Sequence, residues 1–312
     1  MLLLLVLGLL SCLLVVATFL WYHDERADKT AALTAVDRPA TAAPPQPPVD
    51  PERVRAVEEL RSRLPRISEA HPGTHGVVIF DPYSGESASL NADQRFVAAS
   101  LSKLYALLTL YRAAAMGELS LDDEITMRSS DVWAEGTGVL YRYPVGHTIT
   151  LRECADFLIK ESDNTAEVML NRYLEEERIE AELRRTGARS TEYWIPNTTT
   201  PNDILLVLRA ISDPSYTSPE LSAEMLDIMT NTSFEDRLPQ PLPERTRVAH
   251  KIGSYESTFS DAGIVFPEGP GGTDQRYYIV VFSEGATEAE ARRTIQDVSL
   301  AAYRALAPSD AR

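Results

Sequence analysis

Ser100 and Lys103 are the first residues of this 312-residue chain whose types and spacing could do chemistry. They begin a segment that predicts a helix through Leu110. Three residues turn a helix by about 300°, so both side chains point to nearly the same side. A lysine that is desolvated there can lose its proton and activate the serine hydroxyl as a nucleophile. The alternative is that Ser100 only caps the helix and Lys103 is a solvated surface charge.

Two further motifs follow in order along the chain. Ser162-Asp163-Asn164 comes just after a predicted helix from Leu151 to Lys160, and Lys251-Ile252-Gly253 lies on a predicted strand. Taken alone, an Asp-Asn turn and a lysine on an edge strand are ordinary structural features. The ordered set, however, is similar to the S-x-x-K, S-D-N and K-T-G elements of the active-site-serine enzymes that react with penicillin.

The resemblance to class A β-lactamases extends from about Thr74 to Leu306, which is about three quarters of the chain. Three further stretches are typical of that family: Gly117 to Asp123, Thr148 to Glu153, and Thr198 to Pro201. The resemblance implies a serine hydrolase that attacks an amide through Ser100, forms an acyl-enzyme and needs no cofactor.

The same resemblance implies roles for the second and third motifs. Ser162 would relay a proton to the leaving nitrogen, Asn164 would hold a substrate amide, and Asp163 would be structural. The ammonium of Lys251 is expected to lie against Ser162.

Substrate recognition is where the chain first departs from the family. Gly253 would let the substrate approach the strand backbone, and the N–H groups of Ser100 and Ser254 would hold the oxyanion. Ile252 stands where the family carries a hydroxyl that binds the substrate carboxylate, and isoleucine cannot donate that hydrogen bond. Ser254 faces the same way and could supply a hydroxyl. No arginine lies between Ser254 and Phe266, where many class A enzymes place a carboxylate partner.

The second departure is a shortened loop. Only Ala188 to Asn197 separates the turn at Gly187 from Thr198, and this stretch has no Glu-x-x-Leu-Asn. In the family that segment carries the base that activates water for release of the acyl group. Glu192 is the one carboxylate available as a replacement base, although a solvated loop charge is the simpler interpretation. We therefore expect acylation to be supported better than deacylation.

The elements that must position these residues predict an α/β (α+β) fold. A first helix begins after Asp50, a last helix begins with the capping box Thr287 and Glu290, and the middle of the chain reads as helices. The two ends would share one five-stranded antiparallel sheet, beside an all-helical lobe, with Ser100 at the seam. The predicted strands are Val77 to Phe80, Ala88 to Asn91, Val248 to Ile252, Ala262 to Phe266 and Tyr277 to Phe282.

The N-terminus predicts a transmembrane helix. Leu2 to Trp21 carries no charge, and about 20 helical residues span a bilayer core of roughly 30 Å. No basic residue precedes this run and Trp21-Tyr22 closes it, which favours a retained anchor over a cleaved signal peptide. Either form exports the domain. We expect the anchor in residues 1–22, a Pro/Ala-rich linker in residues 23–49 and the hydrolase domain in residues 50–312.

Composition limits the partners. The formal charge of −16 would repel phosphate backbones, so nucleic acid is excluded as a partner. Cys154 is the one cysteine outside the apolar run, so no disulfide can form within the domain, and no metal site is expected around it. We expect a monomer that binds the membrane through its N-terminus and takes a β-lactam or a cell-wall peptide as substrate.

Two functions from different classes remain open. The first is an extracytoplasmic serine hydrolase, either a slow β-lactamase or a penicillin-binding, peptidase-like enzyme. The second is a catalytically silent module that keeps the fold to bind a cell-wall peptide or a protein. A binding module has no need of all five motif residues, which favours the enzyme: Ser100, Lys103, Ser162, Asn164 and Lys251.

Overall fold

A computed structural model describes residues 50–194, 196–268 and 274–308 of the chain. The predicted membrane segment and linker lie outside these residues. Within the described ranges, no helix combines the length and the apolar character that crossing a membrane requires.

The described residues form helices and strands in the order that the sequence predicts, with the sheet strands at both ends. The strands are β1 (Thr74–Asp81), β2 (Glu86–Leu90), β3 (Phe96–Val97), β4 (Glu124–Thr126), β5 (Thr148–Thr150), β6 (Thr198–Thr199), β7 (Arg247–Tyr255), β8 (Thr258–Phe266) and β9 (Tyr277–Glu284). The α-helices are α1 (Pro51–Glu69), α2 (Lys103–Ala115), α3 (Leu151–Lys160), α4 (Asn164–Leu174), α5 (Glu176–Thr186), α6 (Pro201–Ser212), α7 (Pro219–Ile228) and α8 (Glu288–Leu306).

The main sheet is antiparallel, five-stranded and ordered β2-β1-β9-β8-β7. Strand β9 joins the two ends of the chain, since Val280 pairs with Val78 on one side and with Ala262 on the other. Successive residues of β1 face opposite ways, as strand geometry requires. Val77 and Ile79 pack with the terminal helices α1 and α8, whereas Val78 packs with the helical lobe. The sheet is therefore buried on both faces and separates two apolar cores.

Local capping explains the helix boundaries that the sequence predicts correctly. The Asp50 carboxylate accepts the Glu52 N–H at 2.9 Å and begins α1. Thr150 begins α3 and Thr287 begins α8, each with a glutamate three residues on that closes a capping box. The last predicted helix ends at Leu306 in the structure as well.

The segment that carries Ser100 differs from its predicted form. Ala99–Ser102 is a 3-10 turn, and the α-helix begins only at Lys103. Ala99 has φ +48°, a conformation that costs a residue with a side chain free energy and is common at functional sites. Strand β3, just before the turn, pairs with β6, so the loop before α6 lies beside Ser100. The turn meets β7 where Gly253 approaches Ala98.

Candidate active site

Ser100 and Lys103 lie side by side where the 3-10 turn leads into α2. Lys103 Nζ lies 2.9 Å from Ser100 Oγ, which is within hydrogen-bond distance, and the lysine is fully buried. The same Nζ donates to Ser162 O at 2.9 Å and to Asn164 Oδ1 at 2.7 Å. These contacts hold the amine against the serine hydroxyl.

Ser162 lies between two buried lysines. Its Oγ accepts a hydrogen bond from Lys251 Nζ at 2.8 Å and a longer one from Lys103 Nζ at 3.4 Å. Burial lowers the pKa of Lys251 well below its ordinary value, and the nearby charge of Lys103 acts in the same direction. Lys251 therefore gives up a proton more easily than a solvated lysine, which suits a group beside a proton relay.

Asp163 does not face the cleft and holds the loop in place instead. Its carboxylate accepts the N–H groups of Val139 and Leu140 at 2.5 and 2.8 Å, and the N–H of Ala166 at 3.0 Å. The third bond caps α4, the helix on which Asn164 lies. The structural role expected for Asp163 agrees with these contacts.

Gly253 brings β7 close to the turn that carries Ser100. A Cβ at this position would lie 2.9 Å from Ala98 O and 2.5 Å from Ser260 Oγ, so a side chain has no room. Ser254 follows it and is exposed at the cleft. The close approach places the backbone of Ser254 near that of Ser100, as the predicted pair of oxyanion donors requires.

The structure supplies an arginine that the sequence did not predict. Arg237 precedes β7, is almost fully buried, and donates to Gly253 O at 2.8 Å, Ser260 O at 2.7 Å and Ser254 Oγ at 2.6 Å. Because Ser254 Oγ accepts this bond, its own O–H remains able to donate to a substrate carboxylate. No spacing signal marks Arg237, since its partners lie on strands further along the chain.

Two positions singled out in the sequence do not present their side chains to the cleft. Ile252 is buried and contributes its carbonyl oxygen, which accepts from Lys251 Nζ at 3.0 Å. Glu192 forms an ion pair with Arg95 and a bridge with Thr198, its side chain is 45% exposed, and it lies outside the Ser100 cleft. The structure therefore places Glu192 as a surface charge and not beside the nucleophile.

A second unpredicted residue, Glu167, lies beside the base. It follows Asn164 by three residues and so shares its face of α4. Ser102 Oγ donates to Glu167 Oε1 at 2.8 Å, and Lys103 Nζ lies 3.3 Å from Glu167 Oε2. In the sequence it reads as an ordinary acidic residue in a first helical turn, and only its position relative to Asn164 could have marked it.

These residues meet in a cleft of about 600 Å³. Its polar lining includes Ser100, Asn164, Glu167 and Ser254, and its aromatic lining is Trp133, Trp194 and Tyr255. The combination accepts a ligand with an amide or carbonyl to be attacked and apolar groups to be packed.

A buried lysine beside a serine at a helix start, with a second serine and lysine across the cleft, defines the acyl-transfer enzymes that use an active-site serine. The model of the beta-lactamase enzyme family matches residues 59–306. The chain therefore belongs to this family and is a serine hydrolase of the β-lactamase type.

Individual relatives agree with this assignment. A β-lactamase of Bacteroides uniformis is 25% identical, over 74% of this chain and 84% of that protein. The solved structure of PBP-A is 28% identical and superposes with a TM-score of 0.74, covering 83% of this chain and 98% of that one. A variant of PBP-A, solved as an acyl-enzyme complex with penicillin G, is 27% identical with a TM-score of 0.74, over 84% and 98% of the two chains.

Proposed function

We propose that the chain reacts with β-lactams, or with a related cell-wall amide, to form an acyl-enzyme on Ser100. The observation that carries the proposal is the 2.9 Å contact between Lys103 Nζ and Ser100 Oγ inside the cleft. A neutral Lys103 keeps two N–H groups for Ser162 O and Asn164 Oδ1 and directs its lone pair at Ser100. The acyl-enzyme of a PBP-A variant with penicillin G supports the substrate class.

Acylation then follows from the contacts. Ser100 Oγ attacks the carbonyl carbon, and Lys103 takes the hydroxyl proton. The N–H groups of Ser100 and Ser254 hold the developing oxyanion. As the C–N bond breaks, Ser162 Oγ gives its proton to the leaving nitrogen and takes one from Lys251 at 2.8 Å. Lys103, 3.4 Å from the same Oγ, returns the proton it took from Ser100 through Ser162 to Lys251, so Lys103 is neutral in the acyl-enzyme.

The substrate carboxylate is bound by Ser254 with Arg237 behind it. The guanidinium of Arg237 donates to Ser254 Oγ, which orients the serine hydroxyl, and it adds positive charge near the substrate carboxylate. Ser254 and Arg237 together take the place of the hydroxyl that Ile252 lacks. The arrangement supports recognition of an acidic β-lactam despite the departure in the Lys-Ile-Gly motif.

Release of the acyl group is the slower half of the proposed reaction. The loop from Ala188 to Asn197 brings no carboxylate into the cleft, because Glu192 points to the surface and pairs with Arg95. General-base activation of water typically raises the rate of such a step by 10²- to 10⁴-fold, so release without a base in this loop is slow.

The proposed location of the domain is outside the cytoplasm, where residues 1–22 hold it at the membrane.

Labelling with a fluorescent penicillin tests the proposal. Wild-type protein should form a covalent adduct that intact mass spectrometry detects, and Ser100→Ala should form none. A folded wild-type protein without an adduct would favour the silent binding module. Protease accessibility of the domain in intact cells tests its location.

A further inference from the structure

Glu167 is the one carboxylate among the described residues that line the Ser100 cleft. It belongs to α4, the helix that carries Asn164, and not to the loop before Thr198. Its side chain is only 11% exposed and contacts the lysine that contacts the nucleophile. Burying a carboxylate costs desolvation free energy. A buried carboxylate is therefore retained where its hydrogen-bond partners offset that cost or where it has a function.

We propose that Glu167 is the general base that releases the acyl group, and that Asn197 holds the attacking water with it. The proposal rests on the proposed function, because it concerns the second half of the same reaction. It transfers the base from the shortened loop to a helix, where backbone hydrogen bonds fix its position.

The side chain of Asn197 supplies the second, independent observation. Its Nδ2 donates to Ala99 O at 3.3 Å, which orients the amide beside the Ser100 turn. Its Oδ1 is buried and has no hydrogen-bond partner among the described residues, although Asn197 lines the cleft. A buried oxygen without a donor is destabilising, and a water that donates to it removes that cost.

Contacts to both oxygens of Glu167 hold the carboxylate beside the Ser100 turn. Ser102 Oγ, which lies 2.8 Å from Oε1 and 2.9 Å from Ala99 O, links the carboxylate to the carbonyl that Asn197 also contacts. Oε2 lies toward Lys103 Nζ at 3.3 Å. Glu167 and Asn197 thus converge on the backbone of Ala99, immediately before the acylated serine.

The release step balances with these groups alone. The water oxygen forms a bond to the ester carbonyl carbon while its proton passes to Glu167. Glu167 passes this proton to the neutral amine of Lys103 across the 3.3 Å contact. The bond between that carbon and Ser100 Oγ then breaks, and Oγ takes the proton from Lys103. The hydroxyl of water stays on the product, its hydrogen ends on Ser100, and Lys103 is neutral again, as the next acylation requires.

The step need not be fast. Ser102 Oγ donates to the carboxylate that must accept the proton, and this bond stabilises Glu167 as an anion. Glu167 therefore carries the release that occurs, and its removal should turn a slowly released acyl-enzyme into a long-lived one.

A penicillin G pulse followed by intact mass spectrometry separates acylation from release. In Glu167→Gln, release should fall by about 10²- to 10⁴-fold while acylation changes far less. Glu192→Gln is the matched control, because it removes a carboxylate from the surface of the neighbouring loop, and both rates should stay at the wild-type value. Asn197→Ala should slow release in the same direction as Glu167→Gln, but less.

Hydroxylamine distinguishes a lost base from a damaged site, because it attacks esters without a general base. It should free Ser100 in Glu167→Gln as quickly as in wild type. Unchanged release in Glu167→Gln would overturn the assignment, as would an equal loss of acylation and release, or failure of hydroxylamine to free the serine. A wild-type protein without any adduct would instead overturn the proposed function, and the inference with it.

Discussion

His250 and Lys251 are neighbours on β7, and their side chains point to opposite faces of the sheet and enter two different buried clusters. Among the residues that the structure describes, Lys251 has only neutral oxygens at hydrogen-bond distance, those of Ser162 and Ile252. His250 lies between Asp261, at 2.9 Å, and Glu235, at 3.4 Å. One base is therefore buried without a direct counter-ion, and the other has two.

The two pKa values move in opposite directions as a result. Burial lowers the pKa of Lys251, and the charge of Lys103 lowers it further. Burial alone would also lower the pKa of His250, but the charge and hydrogen bond of Asp261, together with Glu235, outweigh it and raise the pKa to about 9. An incompletely paired buried base is suited to proton transfer, whereas a fully paired one is suited to holding structure.

The paired cluster has a structural task that reaches the active site. Asp261 Oδ2 accepts the N–H of Leu238 at 3.0 Å, next to Arg237. The His250 cluster thus fixes the segment from which Arg237 reaches Ser254. We expect changes in the Lys251 cluster to reduce activity and changes in the His250 cluster to reduce stability.

The largest effect should come from Lys251→Met, which keeps the length of the side chain and removes the amine. Acylation by penicillin G should fall by about 10²- to 10⁴-fold, because Ser162 loses a proton donor. The melting temperature should not fall, since the buried ammonium has no counter-ion to lose. Lys160→Met, on the surface, is the control for a lost lysine. An acylation rate in Lys251→Met equal to that of the wild type would contradict the different roles assigned to the two clusters.

Asp261→Asn should act in the opposite sense. Breaking a buried ion pair costs about 3–5 kcal/mol, and urea denaturation should show a loss of that size. Acylation by the protein that remains folded should change less than in Lys251→Met. Glu235→Gln is the matched control on the same histidine, and its cost should be smaller because the Glu235 side chain is 44% exposed. Equal losses for both variants would contradict the central position of Asp261.

Asp261 also shows where prediction of the fold from sequence reached its limit. The strand was predicted from Ala262, but β8 begins at Thr258, because a buried aspartate that pairs with His250 interrupts the apolar run. Where the signal is local, as in the capping box of Thr150, the predicted helix bounds agree with the structure. Strand pairing that includes charged residues depends on partners that no local pattern reveals.

The same limit applies to the candidate site. Ser100, Lys103 and Lys251 belong to motifs whose spacing is visible in the sequence, and the structure brings them together. Glu167 and Arg237 have their partners on other elements, at Ser102 and on β7, so their positions follow only from tertiary packing. The resemblance to the family predicts a carboxylate in the loop, whereas in the structure α4 supplies the carboxylate of the cleft.

The pH dependence of stability should separate His250 from Lys251. His250 binds its proton more tightly in the folded state, so its stabilisation is complete below pH 6.5 and is lost as pH rises through about 9, a change of about 3 kcal/mol. Lys251 binds its proton less tightly when folded, so its contribution increases with pH up to its unfolded value of 10.5.

Urea unfolding between pH 6 and 10 provides the measurement. His250→Gln should remove the alkaline decrease in stability, and Lys251→Met should remove an increase and so make the decrease steeper. The two curves should depart from wild type in opposite directions. Departure in the same direction would show that one of the two pKa shifts has the wrong sign.

The smallest effect is expected at Ile252, which lies on the boundary between the clusters. The carbonyl oxygen of Ile252 accepts a hydrogen bond from Lys251. Its side chain lies on the same face of β7 as that of His250, and Ile252 pairs with Asp261 across the strands. In Ile252→Thr the new hydroxyl can turn toward Asp261 or toward the substrate carboxylate, which Ser254 already serves in the proposed mechanism. We therefore expect acylation by penicillin G to improve by only about 1 kcal/mol, or roughly fivefold.

Ile252→Val is the matched control, because valine has the shape of threonine without its hydroxyl. An equal gain in both variants would assign the effect to packing. Combining Ile252→Thr with Ser254→Ala tests whether the hydroxyls share one role, since two groups that bind the same carboxylate should not contribute additively. If Ser254→Ala costs nothing in either background, the carboxylate is not bound at Ser254, and Arg237 belongs only to the structural cluster behind the strand.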